Sequence, residues 1–110
     1  MNTTKIEEWI DLEEFKELIS NHKSNILVSP HALTHLSIAQ RLIFNESELI
    51  NPIMNERPEK VGKQRNGRYA AFYHRKNGYL KIILERKTQK LEIITFINVD
   101  IVPSITKKND

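Results

Sequence analysis

The apolar residues of this 110-residue chain change their spacing at Glu59, from intervals of three and four to alternation. Two Asn-Gly pairs, Asn66-Gly67 and Asn77-Gly78, separate the alternating runs. Asn-Gly is the preferred pair for a two-residue hairpin turn, and alternation places every second side chain on the same face of a sheet. The sequence therefore predicts antiparallel strands over about 59–97. A helix within 79–97 would contradict both this fold and the function inferred from it.

The N-terminal part has the spacing of helices. Apolar residues recur every three or four positions over 4–22, and Thr4 with Glu7 fits a capping box. A short apolar run at 26–28 is interpreted as a strand. Ser29-Pro30 then begins a second helix that reaches about Leu42, and a third helix is predicted over 46–54. The predicted fold class is α+β, with N-terminal helices packed on one face of a roughly four-stranded antiparallel sheet.

Basic residues are concentrated in the predicted sheet. Residues 59–96 contain ten Lys or Arg and three Glu, a net charge of 10 − 3 = +7, whereas the whole chain carries only +3. A cationic sheet in a small protein attracts phosphates. The sequence therefore indicates a nucleic-acid partner, RNA above all, more clearly than it indicates an enzyme. The residues assigned to nucleic-acid binding are Lys63, Arg68, Tyr73, Lys81 and Arg86.

Several functional classes have no support in the sequence. The chain has no cysteine, so disulfides and thiolate metal sites are excluded. His31 and His35 are spaced i, i+4 and could share a zinc ion, but no third ligand follows, so neither a metal nor another cofactor is expected. No stretch approaches the ~20 apolar residues that span a bilayer. The chain is expected to have no membrane partner and to be cytoplasmic.

Metal-independent RNA cleavage needs only residue types that this chain contains. A general base removes the 2′-hydroxyl proton, a general acid protonates the leaving 5′-oxygen, and cations stabilise the phosphorane between them. The alternative for each basic residue is that it keeps an exposed strand face solvated and blocks edge-to-edge pairing. The side chains of the right types are His31, His35, Arg41, Arg68, Tyr73, His74, Lys81 and Arg86.

The stretch 29–103 resembles a small uncharacterised domain family within the barnase/colicin/RelE-like ribonuclease fold. The likeness rests on Ser29-Pro30-His31-Ala32 at a helix start, Gly67-Arg68-Tyr69, a Tyr-Leu-x-Ile-Ile strand at 79–83 and Ile-Ile-Thr-Phe at 93–96. The resemblance implies that His31 is the family's histidine and that Arg41, Arg68 and Thr95 match its later positions. Where the family usually has an arginine one turn after the histidine, this chain has His35.

The resemblance implies a RelE-like fold and a metal-independent endoribonuclease, a toxin of a toxin–antitoxin system with a protein antitoxin as partner. His31, His35, Arg41 and Arg68 are then the predicted catalytic residues. Two alternatives stay open: a non-catalytic RNA- or DNA-binding module, and a regulatory domain that forms homo-oligomers or binds a partner through Trp9, Ile10 and Phe15. The chain is interpreted as a single domain, 1–110, with a helical extension at 1–25, a core at 26–103 and a tail at 104–110.

Overall fold

The computed structural model describes residues 3–34 and 46–104 of the chain. Within those residues the fold is α+β, with a six-stranded mixed sheet and three helices, which confirms the predicted class. In chain order the elements are β1 (Ile6–Ile10), α1 (Leu12–Asn21), β2 (Ile26–Val28), α2 (Pro30–Thr34), α3 (Glu46–Asn55), β3 (Lys60–Gln64), β4 (Tyr69–Arg75), β5 (Gly78–Arg86) and β6 (Leu91–Val99).

The sheet has the strand order β1-β3-β4-β5-β6-β2. Its four central strands, β3 to β6, form the antiparallel meander that the alternation predicted. The prediction of four strands was incomplete because β1 extends the sheet at one edge and β2 at the other. β2 pairs with β6 in parallel, so the sheet is mixed.

The first strand replaces the beginning of the predicted helix over 4–22, and that prediction was wrong. Ile6 and Trp9 are three residues apart, which is helical spacing, but a regular strand would place them on opposite faces. The ladder between β1 and β3 contains an irregularity between Ile6 and Glu8, which brings both side chains to the same face. Both pack over Gly62, where an added Cβ would lie 2.5 Å from Ile6 Cγ2 and 3.2 Å from Trp9 Cζ3.

The first helix begins only after Asp11, not at the Thr4–Glu7 capping box. The Asp11 carboxylate accepts a hydrogen bond of 2.9 Å from the Glu13 backbone N–H, as an N-cap side chain does. Glu13 and Glu14 then lie in the first turn, where the helix dipole favours negative charge. Phe15 and Ile19 form the buried side of α1.

The second and third helices lie as predicted where the structure describes them. The Ser29 hydroxyl accepts a hydrogen bond of 3.1 Å from the Ala32 N–H, so Ser29 caps α2. α2 is described as far as Thr34, and its predicted extension to about Leu42 lies outside the described residues. α3 includes Pro52 and matches the prediction of 46–54 within one residue.

The sheet separates two apolar clusters. The larger one lies under the helices, where Phe15 of α1, Ala32 of α2 and Leu49 of α3 pack on a sheet face that includes Tyr73 and Leu84. The smaller cluster lies on the opposite side, which we call the open face. It contains four buried residues, Ile6, Ala70, Phe72 and Ile83, with Trp9, Tyr79, Ile94, Val99 and Val102 packed against them.

Candidate nucleic-acid interface

The open face is built of cross-strand rows that follow from the strand register. One row runs Trp9–Gly62–Ala70–Ile83–Thr95, the next Lys60–Phe72–Lys81–Ile97 and the third His74–Tyr79–Val99. Neighbouring strands are about 4.8 Å apart and neighbouring rows about 7 Å apart in such a sheet. The middle row therefore places two lysines about 10 Å apart on either side of one aromatic ring.

Aromatic rings and lysines contact one another at the centre of the open face. The Trp9 and Phe72 rings meet edge to face, with centroids 6.2 Å apart and an interplanar angle of 68°. Lys60 Nζ lies 4.7 Å from the centroid of the Trp9 ring, and Lys81 Nζ lies 5.7 Å from that of Phe72. Both distances are within the range of cation–π attraction. Burial lowers the pKa of Lys81 from its ordinary value of 10.5 because desolvation penalises the charged form.

A second aromatic contact lies in the third row. The His74 and Tyr79 rings are cross-strand partners that meet at 90°, with centroids 5.6 Å apart. His74 is exposed and Tyr79 is half-buried, so both rings reach solvent. Three rings of the open face thus reach solvent around the two lysines: Trp9, His74 and Tyr79.

Ion pairs neutralise part of the basic block. The guanidinium of Arg65 lies 2.8 Å from the Glu7 carboxylate. The guanidinium of Arg68 lies 3.4 Å from Glu85, and that of Arg75 lies 2.8 Å from Glu56. Lys87 Nζ lies 2.7 Å from Glu92, and their hydrogen bond raises the pKa of Lys87 and lowers that of Glu92. Among the described residues, the basic side chains of this block with no carboxylate within 4.0 Å are Lys60, Lys63, Lys76, Lys81, Arg86 and Lys90.

The structure distributes the predicted nucleic-acid-binding residues over both faces of the sheet. Lys81 and Arg68 lie on the open face, where Arg68 pairs with Glu85. Lys63 and Arg86 lie on the helix side: Lys63 Nζ is 5.8 Å from the ring centroid of Tyr69, and Arg86 lines a cleft beside α1. These residues therefore do not form one continuous strip, because odd and even strand positions face opposite ways.

Two predicted surface residues are in the core. Tyr73 has no exposed area and lies in the cluster under the helices, so its ring is not available to stack on bases. Burial is also the main reason why the pKa of Tyr73 is raised. Phe15, assigned to a partner-binding patch, is 3% exposed and packs in the same cluster. Tyr69 and Tyr79, the other two tyrosines, are half-buried and reach solvent.

The predicted catalytic residues are described only in part. His35 and Arg41 lie outside the described residues. His31 is exposed at the start of α2, and the next residue, Ala32, packs in the cluster between the helices and the sheet. Arg68 instead points to the open face, beside Glu85. His31 and Arg68 therefore belong to opposite sides of the sheet.

Sequence reasoning missed the residues at the centre of the open face. Trp9 was assigned to a helix, and Lys60 and Phe72 were not singled out. Alternation along β4 puts Phe72 on the face opposite Tyr73, and that signal was present in the sequence. No comparable signal existed for Trp9, because its position depends on the irregularity in β1.

Comparisons with known proteins add no assignment. No family model matches the chain, and neither the curated proteins nor the solved structures contain a match. Within 3–34 and 46–104, no three His, Asp or Glu side chains are grouped as ligands of one metal ion. No helix in those same ranges has the length and apolarity to cross a membrane.

Proposed function

We propose that this protein binds single-stranded RNA across the open face of its sheet. The observation that supports this most directly is the row Lys60–Phe72–Lys81 beside Trp9. Lys60 and Lys81 have no carboxylate within 4.0 Å among the described residues, so their charges are available to phosphates. Aromatic rings beside unneutralised cations are the combination that binds single strands with little dependence on sequence.

The arrangement suggests how a strand lies on the surface. The phosphates contact Lys60 and Lys81, which are about 10 Å apart across β4. Bases stack on the rings that reach solvent, Trp9 in the first row and Tyr79 with His74 in the third. Each stacked base contributes roughly 1–3 kcal/mol and tolerates any sequence, because every base has a π-face.

The test is a double substitution with a matched control. Lys60→Gln/Lys81→Gln removes two charges from the open face, and Lys76→Gln/Lys90→Gln removes two charges outside its central row. Affinity for a fluorescent uridine oligonucleotide is measured by anisotropy at low salt. We expect a loss of at least tenfold in the first variant and a much smaller loss in the control. Equal losses would show a general charge effect and contradict the proposal, as would no binding by the wild type or a preference for DNA.

Metal-independent RNA cleavage is the second candidate function, and one contact favours it. The Ser29 N–H donates a hydrogen bond of 2.9 Å to the Ile93 carbonyl oxygen, which places the start of α2, with His31, beside β6. In the RelE-like resemblance, a histidine at this helix start and a threonine in the last strand (here Thr95) are matching positions. Of these two, His31 is on the helix side and Thr95 is in the first row of the open face. A toxin role with a protein antitoxin would accompany that activity.

His31→Ala tests cleavage, with Arg68→Ala beside it. A general acid or base contributes about 10²–10⁴-fold to the rate. With EDTA present, we expect His31→Ala to cleave RNA more slowly by that factor. Arg68→Ala should cleave RNA almost as fast as the wild type, because Glu85 already neutralises Arg68 on the other face of the sheet. If His31→Ala cleaves RNA as fast as the wild type, the catalytic site does not include His31. If the wild type does not cleave RNA, the protein is a binding module only.

A further inference from the structure

A cleft between α1 and the sheet has no role in the proposed interface. It lies on the helix side and has a volume of about 230 Å³. The lining residues that matter for binding are Glu14, Phe15, Glu17, His22, Tyr69 and Arg86. Pockets for drug-sized ligands usually measure about 300–1,000 Å³. This cleft is therefore the right size for one small planar group rather than for a long ligand.

The inner part of the cleft is aromatic. The Phe15 and Tyr69 rings lie 6.4 Å apart at an interplanar angle of 52°, with Phe15 buried and Tyr69 reaching solvent. His22 Nδ1 makes a hydrogen bond of 2.9 Å with the Leu18 carbonyl oxygen, which holds the imidazole in one orientation. Because a carbonyl oxygen only accepts, Nδ1 is the protonated nitrogen. Tyr69 and His22, which both reach solvent, offer stacking surfaces to a nucleic-acid base, and the buried Phe15 ring lies behind Tyr69.

The two walls of the cleft carry opposite charges. Glu14 and Glu17 lie on the α1 wall and Arg86 on the β5 wall. Among the described residues, none of these three side chains forms an ion pair within 4.0 Å. Hydrogen-bond acceptors on α1 and donors on β5 therefore line the same cleft, and both sets remain available to a ligand.

Guanine matches this arrangement better than the other bases. Its O6 and N7 are acceptors that pair with an arginine, which is the commonest specific contact in the major groove of DNA. Its N1–H and N2–H₂ are adjacent donors that a carboxylate can accept together. Adenine has the donor N6–H₂ where guanine has the acceptor O6. Arg86 carries only donors, so it can pair with N7 of adenine but not with its N6–H₂. Cytosine and uracil do not combine two adjacent acceptors on one edge with two adjacent donors on another edge.

We infer that the α1 cleft binds one guanine base, with Arg86 on O6 and N7 and Glu14 or Glu17 on the N1 and N2 donors. The inference rests on the proposed RNA binding. It adds the recognition of one base on the helix side of the sheet to the sequence-tolerant binding on the open face. Guanine bound as part of a strand and guanine bound as a free nucleotide use the same contacts.

The experiment compares oligonucleotides that differ in one base. Hexamers of uridine with guanosine, inosine, adenosine or cytidine at the third position are titrated against the full chain by anisotropy. One good bidentate contact discriminates by about 5- to 150-fold, so we expect the guanosine hexamer to bind tighter than the others by a factor in that range. Inosine lacks the N2 amino group but keeps O6, N7 and N1–H, so it should lose part of that gain.

Variants separate the cleft from the open face. Glu14→Gln/Glu17→Gln should reduce the preference for guanosine and leave affinity for the uridine hexamer unchanged or slightly higher. Arg86→Gln should reduce the same preference, because each variant removes one of the two contacts with guanine. Glu13→Gln is the matched control, because Glu13 is on the same helix and outside the cleft. Lys60→Gln/Lys81→Gln should weaken all hexamers by one factor and keep the ratio. Thermal unfolding shows that each variant is folded.

The outcomes distinguish the two proposals. Equal affinities for the guanosine and uridine hexamers, or a preference of undiminished size in Glu14→Gln/Glu17→Gln, would overturn the guanine site and leave RNA binding standing. If the protein binds no RNA, guanosine 5′-monophosphate is titrated alone by NMR. Shifts confined to the cleft, and absent in Glu14→Gln/Glu17→Gln, would support the site without RNA binding, and no shifts would overturn it.

Discussion

At the scale of single residues, the lysines of the open face differ in their surroundings. Lys60 is exposed at the end of its strand, whereas Lys81 is half-buried in the middle of β5 over the Phe72 ring. Desolvation lowers the pKa of Lys81. Among the described residues, Lys81 has no ion pair that would offset this effect. Lys81 therefore loses its proton at a lower pH than an ordinary lysine.

The first prediction follows from this lowered pKa. As the pH rises through the lowered pKa of Lys81 towards 10.5, Lys81 becomes neutral while exposed lysines stay charged, and RNA affinity therefore falls. The folded state then binds fewer protons than the unfolded state, so the same change slightly raises the free energy of unfolding. Affinity is measured by anisotropy over pH 8–10 with a 2′-O-methylated strand, which resists alkali. Lys81→Arg should remove the decrease, and an identical pH profile in that variant would contradict a role for Lys81.

At the scale of elements, the two Asn-Gly pairs produce different turns. Gly67 lies in the loop between β3 and β4 with a φ of +87°, and nothing lies within 4 Å of a Cβ built on it. Gly78 has a φ of +142° and is already the first residue of β5, paired with Arg75, so the two loop residues are Lys76 and Asn77. An added Cβ at Gly78 would collide with the Val99 carbonyl oxygen.

The second prediction compares alanine at these two glycines. Gly67→Ala incurs only the conformational cost of a positive φ, about 1–2 kcal/mol. Gly78→Ala incurs a similar cost and also displaces the β6 backbone at Val99, so its loss of unfolding free energy should be clearly larger. Urea denaturation of both variants measures the difference. If Gly78→Ala is the more stable variant, the close contact between β5 and the end of β6 is not present in solution.

At the scale of the whole molecule, the net charge understates the field at the open face. The acidic N-terminal segment contributes Glu7 and Glu13, which pair with Arg65 and Arg57 away from the central row. Lys60 and Lys81 keep their charges because no glutamate reaches them among the described residues. The ion pairs thus concentrate the available positive charge instead of cancelling it evenly.

The third prediction concerns the salt dependence of RNA binding. On a single strand, the log of the binding constant falls with the log of salt concentration with a slope of about −0.7 for each phosphate neutralised. Removing both lysines in Lys60→Gln/Lys81→Gln should therefore make the slope shallower by about 1.4. Titrations at four or more salt concentrations measure it. A slope that is unchanged in this variant would show that neither lysine contacts a phosphate.

The sequence by itself determined the central meander, because alternation and turn residues are local properties. The strands β3 to β6, the Ser29 cap and the α+β class all follow from short stretches of chain. The same local rules failed at β1, where apolar residues at helical spacing belong to an irregular strand. They could not show that β2 adds to β6 in parallel, because that pairing joins segments more than sixty residues apart.

The composition of each candidate site was decided by the tertiary structure. The excess of basic residues was visible in the sequence, but the pleat divides Lys81 from Lys63 and buries Tyr73, and ion pairs with distant glutamates remove Arg65 and Arg68 from the available charge. Trp9 reaches the open face only because β1 pairs with β3. A charge count is a property of composition, whereas an accessible cation beside an exposed ring depends on strand register and packing, which are set by contacts between distant parts of the chain.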